Sequence, residues 1–200
     1  MKTAFINKSI NFLSKYNNYS EEDKEKILYG LEGIYLTLTK LIIIFLLSFI
    51  LGMIKEVLIL LLLFNVIRYF GFGIHARKSI ECLISSTLMF IVLPYIFLKL
   101  SLDKNVLLII SSISLISLIF FAPADTPKRP FYNKKKIMLR KIITLLIGIT
   151  YLILSLIIKD NTFIILLQLS ILLEAIAVNP ITYMIMRQTY NSGKNGEKVS

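Results

Sequence analysis

The sequence predicts an all-α polytopic membrane protein, with about six transmembrane helices and an amphipathic N-terminal helix at the interface. Three observations carry this. The 200 residues are 56% hydrophobic with a mean hydropathy of +0.75, far from the balance of soluble domains. Only 18% of residues are charged, and they stand in clusters. Between the clusters lie apolar runs that match the roughly 20 helical residues needed to cross a ~30 Å hydrocarbon core.

The elements follow in order. Thr3–Tyr16 carries Phe5, Ile6, Ile10, Leu13 and Tyr16 with Lys8 and Lys15 between them, a weak amphipathic stripe expected to lie in the interface. Met1–Lys15 has no continuous apolar run and no small-residue cleavage site, so no cleaved signal is expected there. Asn17, Asn18 and Tyr19 break the pattern. Ser20 then precedes Glu21, Glu22 and Asp23, a capping-box-like start with acids in the first turn. Ile27, Leu28, Leu31, Ile34, Tyr35 and Leu38 continue at helical spacing into the first span.

Six spans are expected at Leu36–Met53, Val57–Ile74, Cys82–Leu98, Val106–Ala122, Ile142–Ile158 and Thr162–Met186. The connector from Pro123 to Lys141 is long and basic; the others are short. One membrane domain over residues 1–187 is expected, with amphipathic helices over 1–35 and a six-span core over 36–187. The polar tail over 188–200 is expected to be mobile.

The net charge of +11 lies in short loops between apolar segments. Topology and anionic headgroups explain it there, so nucleic acid is not an expected partner and membrane lipid is. With six spans, both termini share a side. That side holds Arg77, Lys78, Lys128, Arg129, Lys134, Lys135, Lys136, Arg140, Lys141, Arg187, Lys194 and Lys198, against Lys55, Lys99, Lys104 and Lys159 opposite. Twelve against four puts both termini and the His75 region in the cytosol of a cell-membrane protein.

The segment from Arg68 to Cys82 contains the only histidine, His75, the only cysteine, Cys82, and two glycines. One cysteine excludes an intrachain disulfide, and the two singletons disfavour a metal site; no cofactor is expected. A thiol becomes a nucleophile when a neighbouring imidazole takes its proton, and Arg68, Arg77 and Lys78 favour the thiolate electrostatically. The plainer reading is an inert cysteine buried in an apolar helix. Seven positions along a straight helix separate two side chains by ~10.5 Å, beyond the ~3 Å reach of a general base. A working pair therefore needs a bend between His75 and Cys82, or pairing across a homodimer.

Ala122-Pro-Ala-Asp-Thr-Pro-Lys-Arg-Pro130 ends the fourth span, and three prolines within eight residues exclude a regular helix. Asp125 can orient the imidazole as a third member, or serve as a turn, cap or salt-bridge residue.

Arg68, Gly73, His75 and Cys82, followed by this proline-rich run, resemble the accessory gene regulator B (AgrB) family of membrane cysteine endopeptidases in Gram-positive quorum sensing. The resemblance covers nearly the whole chain. Phe72 stands where many members carry another glycine, a departure in backbone geometry. The resemblance implies a small AgrD-type precursor peptide as substrate, with an amphipathic leader and an acidic C-terminal tail. Cys82 would attack the bond before that tail with His75 as base. An internal Cys or Ser of the peptide would then displace Cys82 and close a thiolactone or lactone ring. Gly73, Arg77 and Lys78 are expected at the substrate, and Lys128, Arg129, Lys134, Lys135 and Lys136 at its acidic tail. The family also implies a homodimer.

Other residues carry open readings. Arg68 either snorkels to the interface or faces the site and binds a substrate carbonyl or carboxylate. Glu174 is an intramembrane acid, with Lys40 or Arg68 as partner, or else protonated and simply hydrogen-bonded. Asn65 is expected to hydrogen-bond between helices, Pro180 to kink span six, and Ser111, Ser112, Ser114 and Ser117 to allow close packing. A peptide exporter without covalent chemistry is the alternative function, and a non-enzymatic membrane scaffold the third.

Overall fold

A computed structural model of the chain describes residues 2–14, 19–74, 79–100, 102–125 and 133–190. The elements in chain order are α1 (Lys2–Ser14), α2 (Glu21–Ile50), α3 (Ile54–Gly71), α4 (Ser79–Thr87), a π-helical turn (Leu88–Val92), α5 (Leu93–Leu100), α6 (Lys104–Phe121), α7 (Lys134–Ile157), α8 (Asn161–Val178) and α9 (Pro180–Ile185). Among the described residues, five helical stretches are long and apolar enough to cross a membrane: Glu22–Ile50, Ile80–Leu100, Lys104–Phe121, Lys134–Ile157 and Asn161–Val178. α3 has the same length as α6 and α8, 18 residues, but carries Lys55, Glu56 and Arg68. The protein is an all-α polytopic membrane protein, as the hydropathy predicts.

The chain divides into two compact units, Met1–Leu47 and Ser48–Ser200. In the first, α2 begins as the capping pattern requires. The Ser20 hydroxyl accepts from the Asp23 amide at 3.2 Å and donates to the Asp23 carboxylate at 2.7 Å. Lys26 and Glu22 form an exposed pair one turn apart, which contributes little in water.

In the second unit α8 packs against α3, α6 and α7 and occupies the centre. Within its apolar window 72% of residues are buried, against 17–28% for the Ile80–Leu100, Lys104–Phe121 and Lys134–Ile157 spans. α8 can be central because it is apolar on every side. Its neighbours turn one face to it and leave residues such as Ile109, Ile113, Leu146 and Ile153 exposed, where lipid is the natural solvent. Polar bonds tie the bundle together. Tyr151 donates to the Leu63 carbonyl at 3.1 Å, and Gln168 donates to the Ser155 hydroxyl at 3.1 Å. Lys104 at the start of α6 donates to the Leu156 carbonyl at the end of α7 at 3.2 Å.

Pro94 explains the π-helical turn. It has no amide to donate, and its ring crowds the carbonyl four residues back. The helix widens before it, so that the Leu93 amide reaches the Leu88 carbonyl. Phe90 in this turn packs edge-on against Phe64 of α3, 5.3 Å between centroids.

Several expected boundaries shift. Span one stops at Ile50, followed by a turn in which Gly52 has φ +68°. Span two stops at Gly71. α7 starts at Lys134, because Asn133 caps it by accepting from the Lys135 and Lys136 amides. Pro180 does not kink span six but ends it. The residue before a proline is pushed out of the α region, and Asn179 is extended at φ −70°, ψ 132°. Asn179 then caps α9, accepting from the Ile181 amide at 2.9 Å, with Pro180 in the first helical position. Asn65 bonds within its own helix, to the Leu61 carbonyl at 2.7 Å, rather than across to another. Of the expected tail, Gln188–Tyr190 are held: the Gln188 amide donates to the Tyr183 carbonyl, and Tyr190 donates to the Phe121 carbonyl at 3.1 Å.

Candidate functional site

The site grows from the end of α3. Gly71 closes that helix against Glu174 and Thr144; a Cβ there would run into the Glu174 carboxylate and come within 3.3 Å of Thr144 Cγ2. Phe72 and Gly73 then turn the chain with φ +60° and +92°. The first value is one that glycine adopts freely and other residues rarely do. The anomaly noted at Phe72 is thus a backbone anomaly as expected. Arg140 of α7 stands over the Phe72 ring, 4.3 Å from its centroid, and donates to the Tyr69 carbonyl at 3.2 Å. That cation–π contact contributes about 0.5–2 kcal/mol toward holding the positive-φ Phe72 in place.

The turned segment is pinned from two sides. Phe72 pairs with Ala124 in an isolated parallel bridge. The Gly73 amide donates to the Ala124 carbonyl at 2.8 Å, and the Ala124 amide to the Gly71 carbonyl at 3.2 Å. On the other side the Ile74 amide donates to the Ala177 carbonyl at 2.9 Å. That carbonyl belongs to the last turn of α8, where helix geometry leaves acceptors unused. The three segments thus satisfy each other's backbone groups in a buried place where water could not.

Asp125 follows the bridge directly and is 1% exposed. Its carbonyl accepts from Tyr183 at 3.0 Å. Tyr183 packs edge-on against Tyr190 at 5.0 Å, and Tyr190 bonds to Phe121. The short helix α9 and the first tail residues therefore brace the proline-rich connector. The Ala122–Pro123 peptide in this connector is cis.

Arg68 and Glu174 meet beneath the turn, Nη1 to Oε2 at 3.6 Å, with side-chain exposures of 15% and 0%. Of the two partners considered for Glu174, Arg68 is the one found. Arg68 also makes a short hydrogen bond to the Ile74 carbonyl. Its guanidinium lies over the Phe64 ring at 5.8 Å.

Cys82 is half-buried in the first turns of α4. Helix α3 does not continue into α4: three non-helical residues, Phe72 to Ile74, follow Gly71 before the chain reaches position 75. His75, Arg77, Lys78, Lys128 and Arg129 lie outside the described residues. Lys134, Lys135 and Lys136 are exposed in the first turn of α7. Cations there oppose the helix dipole, so helix stability does not account for three in a row.

Three contributors escaped the sequence reading. Arg140 stood out only as one charge of the basic connector, and Tyr183 and the Ala177 carbonyl carried no signal at all. Glu174 stood out as an intramembrane acid without a role.

The chain matches the family model described as accessory gene regulator B over residues 6–178. It is 35% identical over 168 residues to a putative AgrB-like protein of Clostridium acetobutylicum, covering 84% of this chain and 80% of that one. It is 30% identical over 179 residues to accessory gene regulator protein B of Staphylococcus aureus strain Newman, covering 90% and 94%. A putative AgrB-like protein of Listeria monocytogenes serotype 4a is 28% identical over 179 residues. No solved structure matches the chain.

Proposed function

Because the chain belongs to the accessory gene regulator B family, we propose that it is a membrane cysteine endopeptidase that trims and cyclises a quorum-sensing precursor peptide. The observation that carries this reading is the pinned turn at Phe72–Ile74. It is bonded to the Asp125 connector on one side and to α8 on the other, and it leads directly to the only histidine, ahead of a helix bearing the only cysteine.

The chemistry follows from those groups. The Cys82 sulfur, its proton taken by His75, attacks the carbonyl carbon before the acidic tail. The C–N bond breaks, and the imidazolium returns the proton to the departing amine. An acyl-thioester on Cys82 remains. A thiol or hydroxyl of the peptide itself then attacks that acyl carbon, the ring closes, and Cys82 leaves as a thiol. One acyl carrier replaces another, so no nucleotide is needed. Water must be kept from the thioester, and a site at the membrane interface favours this. Asp125, buried one residue past the bridge, is the candidate orienter of the imidazole.

The substrate in this reading is an AgrD-type peptide. Lys134, Lys135 and Lys136 in the exposed first turn of α7, with Lys128, Arg129, Arg77 and Lys78, attract its acidic tail. The positive-inside bias puts this face and both termini in the cytosol of the cell membrane. A reporter fused at Lys104 should read extracytoplasmic; a cytosolic signal there overturns the orientation.

Co-expression with the precursor tests the chemistry. Wild type should release the tail and form the ring. Cys82→Ala and His75→Ala should do neither while remaining folded in the membrane. Cleavage by Cys82→Ala would show that the nucleophile is another group.

A further inference from the structure

Glu174 has no part in the chemistry just described. It is fully buried, neither of its oxygens has a hydrogen bond among the described residues, and its ion-pair partner is Arg68 at 3.6 Å. Stability does not explain such a pair. The desolvation of two buried charges roughly cancels their attraction, and well-packed apolar residues of similar volume do as well or better. A substrate-binding role for Arg68 is also poorly served. Its guanidinium is bonded to the Ile74 carbonyl, paired with Glu174 and laid over Phe64.

What the two side chains do have in common is bare backbone. The place a Cβ would take on Gly71 lies against the Glu174 carboxylate, and on Gly73 against Arg68 Nη1. Arg68 holds the carbonyl of Ile74, whose amide is held by Ala177 of the helix that carries Glu174. Both backbone groups of the residue before His75 are thereby fixed to one ion pair and its helix.

We propose that Arg68 and Glu174 are a positioning pair for the cysteine–histidine site: Glu174 anchors Arg68, and Arg68 sets the direction in which the chain leaves Ile74 toward His75. The inference rests on the reading of Cys82 and His75 as nucleophile and base. Glu174 touches neither the peptide nor the reacting atoms. It acts through Arg68 on Ile74, the residue that precedes His75 in the chain. A displacement of about 1 Å at such a site costs about 100-fold in rate.

The single cysteine makes the test specific, because alkylation of the chain by iodoacetamide reads Cys82 alone. The full chain in lipid nanodiscs is alkylated across pH, and precursor turnover is measured on the same samples. His75→Ala should move the alkylation profile toward that of an ordinary thiol. Glu174→Gln should move it in the same direction, lower kcat by about 100-fold and leave KM within about twofold. Gly71→Ala keeps both charges but pushes on the Glu174 carboxylate, so it should shift the profile the same way; it replaces Glu174→Gln should that variant not fold. An unmoved profile in either folded variant overturns the proposal. So does a rise in KM with the profile unchanged, which would make the pair a substrate contact. If His75→Ala itself leaves the profile in place, the cysteine–histidine reading fails and the positioning role falls with it.

Discussion

Replacing Gly73 with alanine separates backbone strain from steric crowding at the turn. Gly73 has φ +92°, and an added Cβ would lie 2.6 Å from the Ala177 carbonyl oxygen, 2.9 Å from its carbon, and against Arg68 Nη1. The left-handed conformation costs an L-residue about 1–2 kcal/mol. Overpacking against helix backbone that cannot rotate away adds about 1–3 kcal/mol. Gly52 supplies the control: it has φ +68° and nothing within 4 Å of an added Cβ, so Gly52→Ala carries the first cost alone. The two variants should therefore differ by about 2 kcal/mol, or roughly 4–8 °C in Tm for a chain of this size. Thermal denaturation of detergent-purified protein, followed by size exclusion, measures this. Precursor processing should fall by about 100-fold in Gly73→Ala and stay near wild type in Gly52→Ala. Equal melting of the two variants, or wild-type processing by Gly73→Ala, would refute the crowding against Ala177.

Three further outcomes are expected. Tyr183→Phe keeps the ring against Tyr190 but removes the bond to the Asp125 carbonyl; it should destabilise by about 1 kcal/mol and speed hydrogen exchange at the Ala124 amide. Arg140→Gln loses the Phe72 stack and the Tyr69 bond and should lower processing several-fold. Arg140→Lys, which preserves the topology charge, should restore it only in part because an ammonium lacks the planar fork. Gln168→Leu removes a buried amide whose oxygen has no partner among the described residues; its melting temperature should equal or exceed that of wild type, since Ser155 keeps its bond to the Leu152 carbonyl.

Most of the helical architecture was legible because its causes are local. A run of apolar residues must satisfy its own backbone in lipid, and a helix is how it does so. Ser20 and the acids after it mark a helix start through contacts three residues long. The misjudged boundaries had local signals of their own. Asn179-Pro180 is a cap followed by a first-turn proline, and Asn133 before a run of lysines is another cap. Hydropathy alone outweighed both.

The sequence by itself determined the all-α membrane architecture and the chemistry that one thiol and one imidazole allow. It also marked Gly73 and Asp125, though not what either touches. Only the tertiary structure decided that Gly71–Ile74, Ala124 and Ala177 share backbone hydrogen bonds, and that Glu174 belongs to Arg68. Those groups lie some 50 to 100 residues apart in the chain. Backbone amides and carbonyls are the same in every residue, so no residue type announces which of them will meet. Their pairing follows from how α3, α6 and α8 pack, and that is settled by the whole bundle at once.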